Sequence, residues 1–217
     1  MSFSSNDTIK KITKVIPSSI NNQTVPKDLL VIIDEYIPKL NDENIHEVVA
    51  EYLSNDKYLK QQVIKNYGKI SNWDVSQVTD MSNMFNCAIL FNQPLNNWDV
   101  SKVTDMRGMF LRAKNFNQPL DNWNVSNVTN MRCMFYDTYF NQPLNNWDVS
   151  NVTDMDYMFY CATKFNQPLN NWDVSSVTEM YRTFYMTRNF NIQENAPWYD
   201  ESWYDESNDG SDNESDY

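Results

Sequence analysis

The sequence is poor in the residues from which many enzyme active sites are built. Its 217 residues include only three glycines, Gly68, Gly108 and Gly210. Neither phosphate-binding signature, G-x-G-x-x-G or G-x-x-x-x-G-K-[ST], can be written with them. His46 is the single histidine, which excludes a His-rich metal site and argues against a Ser-His-Asp or Cys-His enzyme. We therefore expect no catalytic, cofactor-binding or metal-binding residues and no small-molecule substrate.

Cysteines and long apolar runs are also scarce. The three cysteines, Cys87, Cys133 and Cys161, are an odd number without the spacing of a disulfide framework, which is typical of a reducing compartment. No secretory signal is evident at the start, and no apolar run reaches the length of about 18 residues that a membrane span needs. These absences predict an intracellular protein, in the host cytoplasm or the virion if it is viral.

Basic residues are outnumbered, because the chain carries a net charge of −12. This balance argues against nucleic acid and anionic membrane as partners, since phosphate binding needs clustered Lys and Arg. The excess is uneven: residues 1–70 carry net charge 0, residues 71–198 carry −4 and residues 199–217 carry −8. The last segment has too little apolar content and too much like charge to fold alone, so it is predicted to be a disordered acidic tail.

What the sequence does contain is a repeat. Tryptophans recur at intervals of 25, 25, 24 and 25 residues, and each opens the phrase W-[DN]-V-S-x-V-T-[DNE]-M. Four copies of F-N-Q-P-L-[ND]-N separate them. Self-similarity at a fixed period is the signature of a stacked-repeat architecture. The five tryptophans are Trp73, Trp98, Trp123, Trp147 and Trp172.

Within one repeat, the apolar spacing predicts two elements. Met81, Met84, Phe85 and Ala88 follow the i, i+3, i+4, i+7 pattern of one helix face, and the residues from Leu95 to Val100 alternate as in a short strand. The fold class predicted is α/β: a leucine-rich-repeat-like solenoid of about five 25-residue coils, each a short parallel strand plus a short helix. The Met and Trp columns are predicted to pack in its core, against the alternatives of copper(I) binding or a sugar-binding platform.

Polar residues form columns too. The Ser and Thr columns before the predicted helix are interpreted as turn and N-cap residues. Two Asp columns raise calcium binding as an alternative, although both change to Asn in the third repeat, at Asn124 and Asn130. The Asn columns that begin at Asn92 and Asn97 are predicted to satisfy turn backbone groups between coils, as in asparagine ladders.

The flanks complete the predicted domain organisation. Amphipathic patterns predict helices over 27–40, 42–54 and 56–67, which would cover the open edge of the first coil. His46 lies one residue off the apolar face and is predicted to be a solvated surface group. The predicted domains are a flexible N-terminus (1–25), a helical cap (26–70), the repeat solenoid (71–198) and the acidic tail (199–217).

The repeated phrase resembles a known family. N-W-D-V-S-N-V-T-D-M, followed by M-F, A and F-N-Q-P-L over residues 72–191, resembles the BspA-like leucine-rich repeat family, a domain of unknown function of mycoplasma-type surface lipoproteins. The Asn, Lys and Ile bias is most similar to its giant-virus members. The resemblance implies a leucine-rich-repeat-type solenoid with adhesion or protein-binding roles and carries no catalytic residues. The chain lacks the signal and lipobox of the surface members, which weighs against adhesion.

A second resemblance concerns the N-terminal flank. V-P-K-D-L-L-V-I-I-D-E-Y-I, at residues 25–37, is similar to the opening helix of an F-box. The resemblance implies an adaptor that recruits a ubiquitin ligase through a Skp1-type partner. The same apolar residues also fit a helical cap.

The sequence therefore predicts a non-catalytic protein–protein interaction scaffold that is monomeric, with an F-box-like adaptor or a surface adhesion protein as alternatives. It does not identify the protein partner. Binding residues are expected among the loop positions that break the regularity of the repeat. These candidates are Arg107, Arg112, Lys114, Tyr136, Tyr139, Tyr157, Tyr160, Arg182 and Arg188.

Overall fold

A computed structural model describes residues 38–203. The described residues from Lys39 onward belong to one compact unit. The predicted flexible N-terminus and F-box-like segment lie outside the described residues, as do residues 204–217 of the predicted acidic tail.

Two helices precede the repeats and confirm the helices predicted at 42–54 and 56–67. The elements are α1 (Ile45–Leu53), α2 (Lys57–Tyr67), a 3-10 helix (Ile70–Asn72), α3 (Ile192–Asn195) and a second 3-10 helix (Glu201–Trp203). The Asp56 side chain begins α2 by accepting hydrogen bonds from the backbone N–H groups of Tyr58 and Leu59. Residues 38–40, the described part of the first predicted helix, are not helical.

The predicted α/β leucine-rich-repeat-like solenoid is wrong. Residues 73–191, all of which the structure describes, contain neither a helix nor a strand. Parallel pairing is confined to isolated bridges at the seventh residue after each tryptophan: Asp80–Asp105, Asp105–Asn130, Asn130–Asp154 and Asp154–Glu179. Each repeat is a succession of tight turns, and the repeats are joined through backbone hydrogen bonds.

Tandem turns explain why the helix prediction failed. In the second repeat, the N–H of Met109 donates to the carbonyl of Met106 (3.1 Å), and the N–H of Ala113 donates to the carbonyl of Phe110 (2.9 Å). The third residue of each turn has a left-handed φ, 60° at Gly108 and 55° at Arg112, as in a type II turn. Two adjacent four-residue turns bury their first and last residues, which gives the same i, i+3, i+4, i+7 spacing as a helix.

Turns also replace the predicted strand. The N–H of Trp98 donates to the carbonyl of Leu95 (3.0 Å), and the N–H of Val103 donates to the carbonyl of Val100 (2.9 Å). Chain that closes on itself within four residues is not extended, so it cannot pair along its length as a strand does. The Ser and Thr columns consequently have no helix to cap.

Neighbouring repeats are joined by a regular hydrogen-bond pattern, which we call the turn ladder. From the second repeat to the third, four N–H groups donate to backbone carbonyls at 2.8–3.0 Å. The same four positions are used between each pair of consecutive repeats from the first to the fifth. The four bonds are Met106 to Asn130, Gly108 to Arg132, Phe110 to Met134 and Arg112 to Tyr136.

Aromatic columns fill the core. The rings of Trp123 and Trp147 are stacked with their centroids 6.3 Å apart and 6° between their planes. The indole N–H groups of Trp123, Trp147 and Trp172 also reach the preceding repeat; Trp123 Nε1, for example, donates to the carbonyl of Leu95 at 2.9 Å. The tryptophans are only 3–4% exposed, and the Met column from Met81 to Met180 is buried beside them. Core packing of both columns, as predicted, is confirmed.

Asparagine side chains contribute a second ladder. Asn92 Oδ1 accepts from the backbone N–H of Asn117 (3.0 Å), and Asn117 Oδ1 accepts from that of Asn141 (2.8 Å). This column therefore behaves as predicted. In the column that begins at Asn97, the acceptor is the residue one place earlier: Asn96 Oδ1 accepts from the backbone N–H of Asn122 at 3.0 Å.

The N-terminal edge of the turn-ladder stack is covered by side chains that replace a missing repeat. Inside the stack, the N–H of Thr104 donates to the carbonyl of Thr79 (2.8 Å), but Thr79 has no repeat before it. The carboxylate of Asp42 takes that place and accepts from Thr79 N (2.7 Å), Thr79 Oγ1 (2.5 Å) and Asp80 N (3.0 Å). His46, predicted to be a solvated surface group, is half-buried, and its Nε2 donates a hydrogen bond to the carbonyl oxygen of Ser82 at 2.9 Å.

Candidate binding surface

Five of the positions that differ between repeats lie together on one part of the structure. They are the residues 9, 10, 13, 14 and 16 places after each tryptophan. The first four are the central residues of the two tandem turns, and the fifth directly follows the second turn. We call this surface the turn face. All nine candidates from the sequence belong to it, although nothing in the structure tests whether they bind a partner.

The turn face concentrates positive charge. All five arginines of the chain lie on it, together with Lys114, and its only acids in the five repeats are Asp137 and Asp156. The Asp columns that begin at Asp74 and Asp80 lie outside it. A chain of net charge −12 thus gathers its arginines on a single surface. They are Arg107, Arg112, Arg132, Arg182 and Arg188.

Tyrosines form a stacked column across the later repeats. The ring centroids of Tyr136 and Tyr160 are 4.7 Å apart, and those of Tyr160 and Tyr185 are 5.3 Å apart. Tyr157 joins this column through Tyr160 (5.7 Å) and makes an edge contact with Tyr181 (5.3 Å). Burial raises the pKa of Tyr136 to about 12, so its phenol is neutral at physiological pH.

Cations lie over these rings. The guanidinium of Arg112 is 5.8 Å from the centroid of Tyr136, and that of Arg182 is 5.2 Å from the centroid of Tyr185. The Lys114 ammonium is 5.3 Å from the centroid of Tyr139. Such contacts hold a cation in place while leaving part of its charge available to a partner.

The two acids of the turn face are already paired. Asp137 forms an ion pair with Lys114, and Asp156 forms one with Arg132, whose Nη1 lies 2.5 Å from the carboxylate. Asp156 also accepts the backbone N–H of Tyr181 at 2.6 Å. The Asp156 carboxylate, in the fourth repeat, therefore links Arg132 in the third repeat to the backbone of the fifth repeat.

A groove of about 420 Å³ opens on the turn face over the first three repeats. Gly108 lines it at the tenth position after its tryptophan, where the other repeats have Asn83, Cys133, Tyr157 and Arg182. A Cβ atom at Gly108 would lie 2.3 Å from Asn83 Oδ1. The groove is lined by Asn83, Asn86, Arg107, Gly108, Leu111, Arg132 and Cys133.

The structure brings most of the predicted candidates into contact with one another. Arg112, Tyr136, Tyr160 and Tyr157 form one connected group, and Lys114 and Tyr139 form a pair. Arg107 lies at the groove instead.

Sequence reasoning missed four residues of the turn face: Arg132, Gly108, Tyr181 and Tyr185. An alignment of the repeats by their tryptophans would have found them, because each occupies the same position in its repeat as one of the nine candidates.

Cys133 and the Asp columns outside the turn face are held by burial or by hydrogen bonds within their own turns. Burial raises the pKa of the Cys133 thiol to about 11, and the cysteines are free rather than paired. Hydrogen bonds from Ser76 hold the pKa of Asp74 below its usual value, and Ser150 does the same for Asp148. No cluster of three or more His, Cys, Asp or Glu residues that could hold a metal ion occurs in residues 38–203.

Comparison with known proteins gives a family. Neither the curated proteins nor the solved structures contain a match to the chain. In the described part of the chain, none of the helices combines the length and the apolar character that crossing a membrane would require. A family model described as "Mycoplasma protein of unknown function, DUF285" matches residues 53–139 and 137–208, well over half of the chain. The match does not confirm the leucine-rich-repeat assignment or the affinity to giant-virus members. The chain belongs to the DUF285 family of mycoplasma-type proteins of unknown function.

Proposed function

We propose that this protein is a non-catalytic scaffold that binds a protein partner through the turn face. One observation carries the proposal: five variable positions of the repeat share a single surface and supply all five arginines and six tyrosines. Arginine and tyrosine are the residue types enriched at protein interfaces and at their energetic hot spots. The regular positions, in contrast, are occupied by core packing and by the bonds between repeats.

The rigidity of the turn face supports this proposal. Its backbone is held by the turn ladder, and its tyrosines are stacked on one another at 4.7–5.7 Å. Side chains fixed before binding lose little conformational entropy when a partner arrives, which favours affinity. A surface of this kind can act as a preformed docking site without a change in the fold.

The reactive groups described above support a non-catalytic role. A thiol whose pKa is raised to about 11, as that of Cys133 is, gives little thiolate at neutral pH and is a weak nucleophile. The carboxylates of Asp74 and Asp148 are engaged by their own serines, at 2.6 Å in each case. The pKa of each of these groups is therefore moved away from neutrality, whereas a general acid or base works best with a pKa near the operating pH.

Site-specific photocrosslinking tests the proposal. A photoreactive amino acid is placed at Tyr139, which is 46% exposed, or as a matched control at Gln77, which is exposed outside the turn face. We expect a discrete crosslinked protein in native cells from position 139 and none from position 77, and we expect Arg112→Ala to abolish it. A crosslink that is equal from both positions, or indifferent to Arg112→Ala in a folded protein, would refute the turn face as the binding surface.

A further inference from the structure

The partner segment can be assigned a charge, on the basis of the proposed function. We propose that the turn face binds an acidic segment of its partner protein, and that a carboxylate of this segment enters the groove at Gly108 and pairs with Arg107. The groove volume of about 420 Å³ falls in the range of ligand clefts, about 300–1,000 Å³. It therefore accommodates an acidic side chain together with adjoining backbone.

Charge complementarity favours an acidic occupant. The turn face holds six cations and two acids, and both acids are already paired, with Lys114 and Arg132. Its charge is thus opposite in sign to the net charge of −12 of the whole chain. A basic or neutral segment would leave the charge of Arg107 without compensation, whereas a carboxylate would pair with it.

Groups around the groove supply donors at short range. Arg107 is exposed, and its guanidinium makes no hydrogen bond or ion pair with any residue in the range 38–203. The side-chain amides of Asn83 and Asn86 line the same groove. Arg132 is fixed by Asp156 and by Tyr157, whose ring centroid is 5.2 Å from its guanidinium.

Beneath these donors, Leu111 and Cys133 are buried and apolar, with 5% and 4% of their surfaces exposed. An arginine fork beside an apolar floor suits a carboxylate on a short aliphatic stem, because the head group meets the donors and the stem meets the floor.

The arrangement of the tyrosines argues against single-stranded nucleic acid. Bases bind by stacking on exposed aromatic faces. The faces of Tyr136 and Tyr160 are turned toward each other, with 10° between the ring planes, and Arg112 lies over Tyr136. The column presents ring edges and cations to a partner rather than free ring faces, which suits a peptide better than a base.

Fluorescence anisotropy with the full-length chain tests the proposal. The probe is a labelled 12-residue peptide of alternating Glu and Ser, and its control is the same peptide with Gln in place of Glu. We expect binding of the Glu peptide only, a loss of about tenfold or more with Arg107→Glu, as measured couplings between close charge pairs indicate, and little change with Lys102→Glu. Lys102 is exposed outside the turn face and bonds only Gln77.

The groove itself is tested by Gly108→Asn. Asn tolerates a left-handed φ, and Asn83 already occupies the same column with φ of 54°. The new Cβ requires the end of the Asn83 side chain to turn away, and this side chain is exposed. We expect this variant to fill the groove and weaken the Glu peptide about as much as Arg107→Glu does, while the circular dichroism spectrum stays unchanged. Undiminished binding by a folded Gly108→Asn would refute the assignment of the carboxylate to the groove.

Other outcomes separate this inference from the proposed function. Equal binding of the Gln peptide, still lost in Arg112→Ala, would overturn the acidic assignment and leave the turn face as the binding surface. Tighter binding of a 12-nucleotide single strand of DNA, lost in Arg107→Glu, would overturn both in favour of nucleic acid. If the Glu peptide binds only when the acids of residues 204–217 are changed to amides, the groove is filled by the chain's own acidic segment, and the assignment to a partner fails.

Discussion

The carboxylate of Asp42 is predicted to hold the N-terminal edge of the stack. It accepts three hydrogen bonds, from Thr79 N, Thr79 Oγ1 and Asp80 N, at 2.5–3.0 Å. Replacing it with alanine leaves these three donors to water, as the loss of a helix N-cap does. Because the site is exposed, we expect a cost in the lower part of the range for charged hydrogen bonds, about 1–2 kcal/mol in the free energy of unfolding.

Thermal and chemical denaturation measure this cost. For a domain of this size, about 1–2 kcal/mol corresponds to a decrease in Tm of roughly 2–8 °C. Asp42→Asn keeps one acceptor oxygen but loses the charge, so we expect about half of the effect. Glu43→Ala, at the next residue and also exposed, is the matched control and should change Tm by less than about 1 °C.

Hydrogen exchange and pH locate the effect. In Asp42→Ala, the amide protons of Thr79 and Asp80 should exchange faster, while that of Thr129, inside the stack, should not. Burial raises the pKa of Asp42, but the hydrogen bonds from Thr79 and Asp80 outweigh burial and lower it. Its contribution is therefore complete above the unfolded pKa of about 3.9 and is lost as the pH falls through the lower folded value. Equal stability of Asp42→Ala and Glu43→Ala at pH 7 would refute the capping role.

Three further predictions concern the core, the acid limit and the thiols. Trp123→Phe removes the indole N–H that donates to the carbonyl of Leu95 and should lower the free energy of unfolding by about 1–3 kcal/mol in urea titrations; a change below about 0.5 kcal/mol would contradict this role. Because hydrogen bonds from Ser150 lower the pKa of Asp148, stability should decrease as the pH falls below about 4, and urea midpoints should show a weaker decrease between pH 5 and pH 3 in Ser150→Ala. Cys87 is exposed whereas burial raises the pKa of Cys133 to about 11, so iodoacetamide at pH 8 should modify Cys87 first, as peptide mass mapping would show; faster modification of Cys133 would contradict its burial.

The sequence predicted which residues are buried better than it predicted the backbone that buries them. Met106, Met109, Phe110 and Ala113 are all fully buried, as their spacing indicates. That spacing is shared by a helix and by two tandem four-residue turns, so periodicity alone cannot distinguish them. What distinguishes them is a left-handed φ at every fourth residue, and in most repeats non-glycine side chains such as Arg112 occupy these positions and hide the turn signal.

The candidate surface was predictable only in part for a related reason. Arg107, Tyr136 and Tyr160 stood out as departures from the repeat, and they do lie on the turn face. The groove is lined by Gly108, and no local sequence pattern around this glycine indicates a groove. Its importance comes from the side chains of Asn83 and Arg132 in the neighbouring repeats, and the distance between repeats is set by the turn ladder rather than by local sequence.

The left-handed residues of the turn ladder connect stability with evolvability. Nine non-glycine residues have φ of 50–57°, a conformation that costs a side chain about 1–2 kcal/mol per residue relative to the right-handed region. Glycine would adopt it freely, yet Arg112, Tyr157 and Arg182 stand at such positions on the turn face. The fold would therefore gain stability from losing the side chains that distinguish one repeat from another, a trade-off expected where selection acts on recognition. In this chain, a different side chain at one of these positions changes the chemistry of the turn face and the local backbone strain, while the buried residues that join the repeats stay the same.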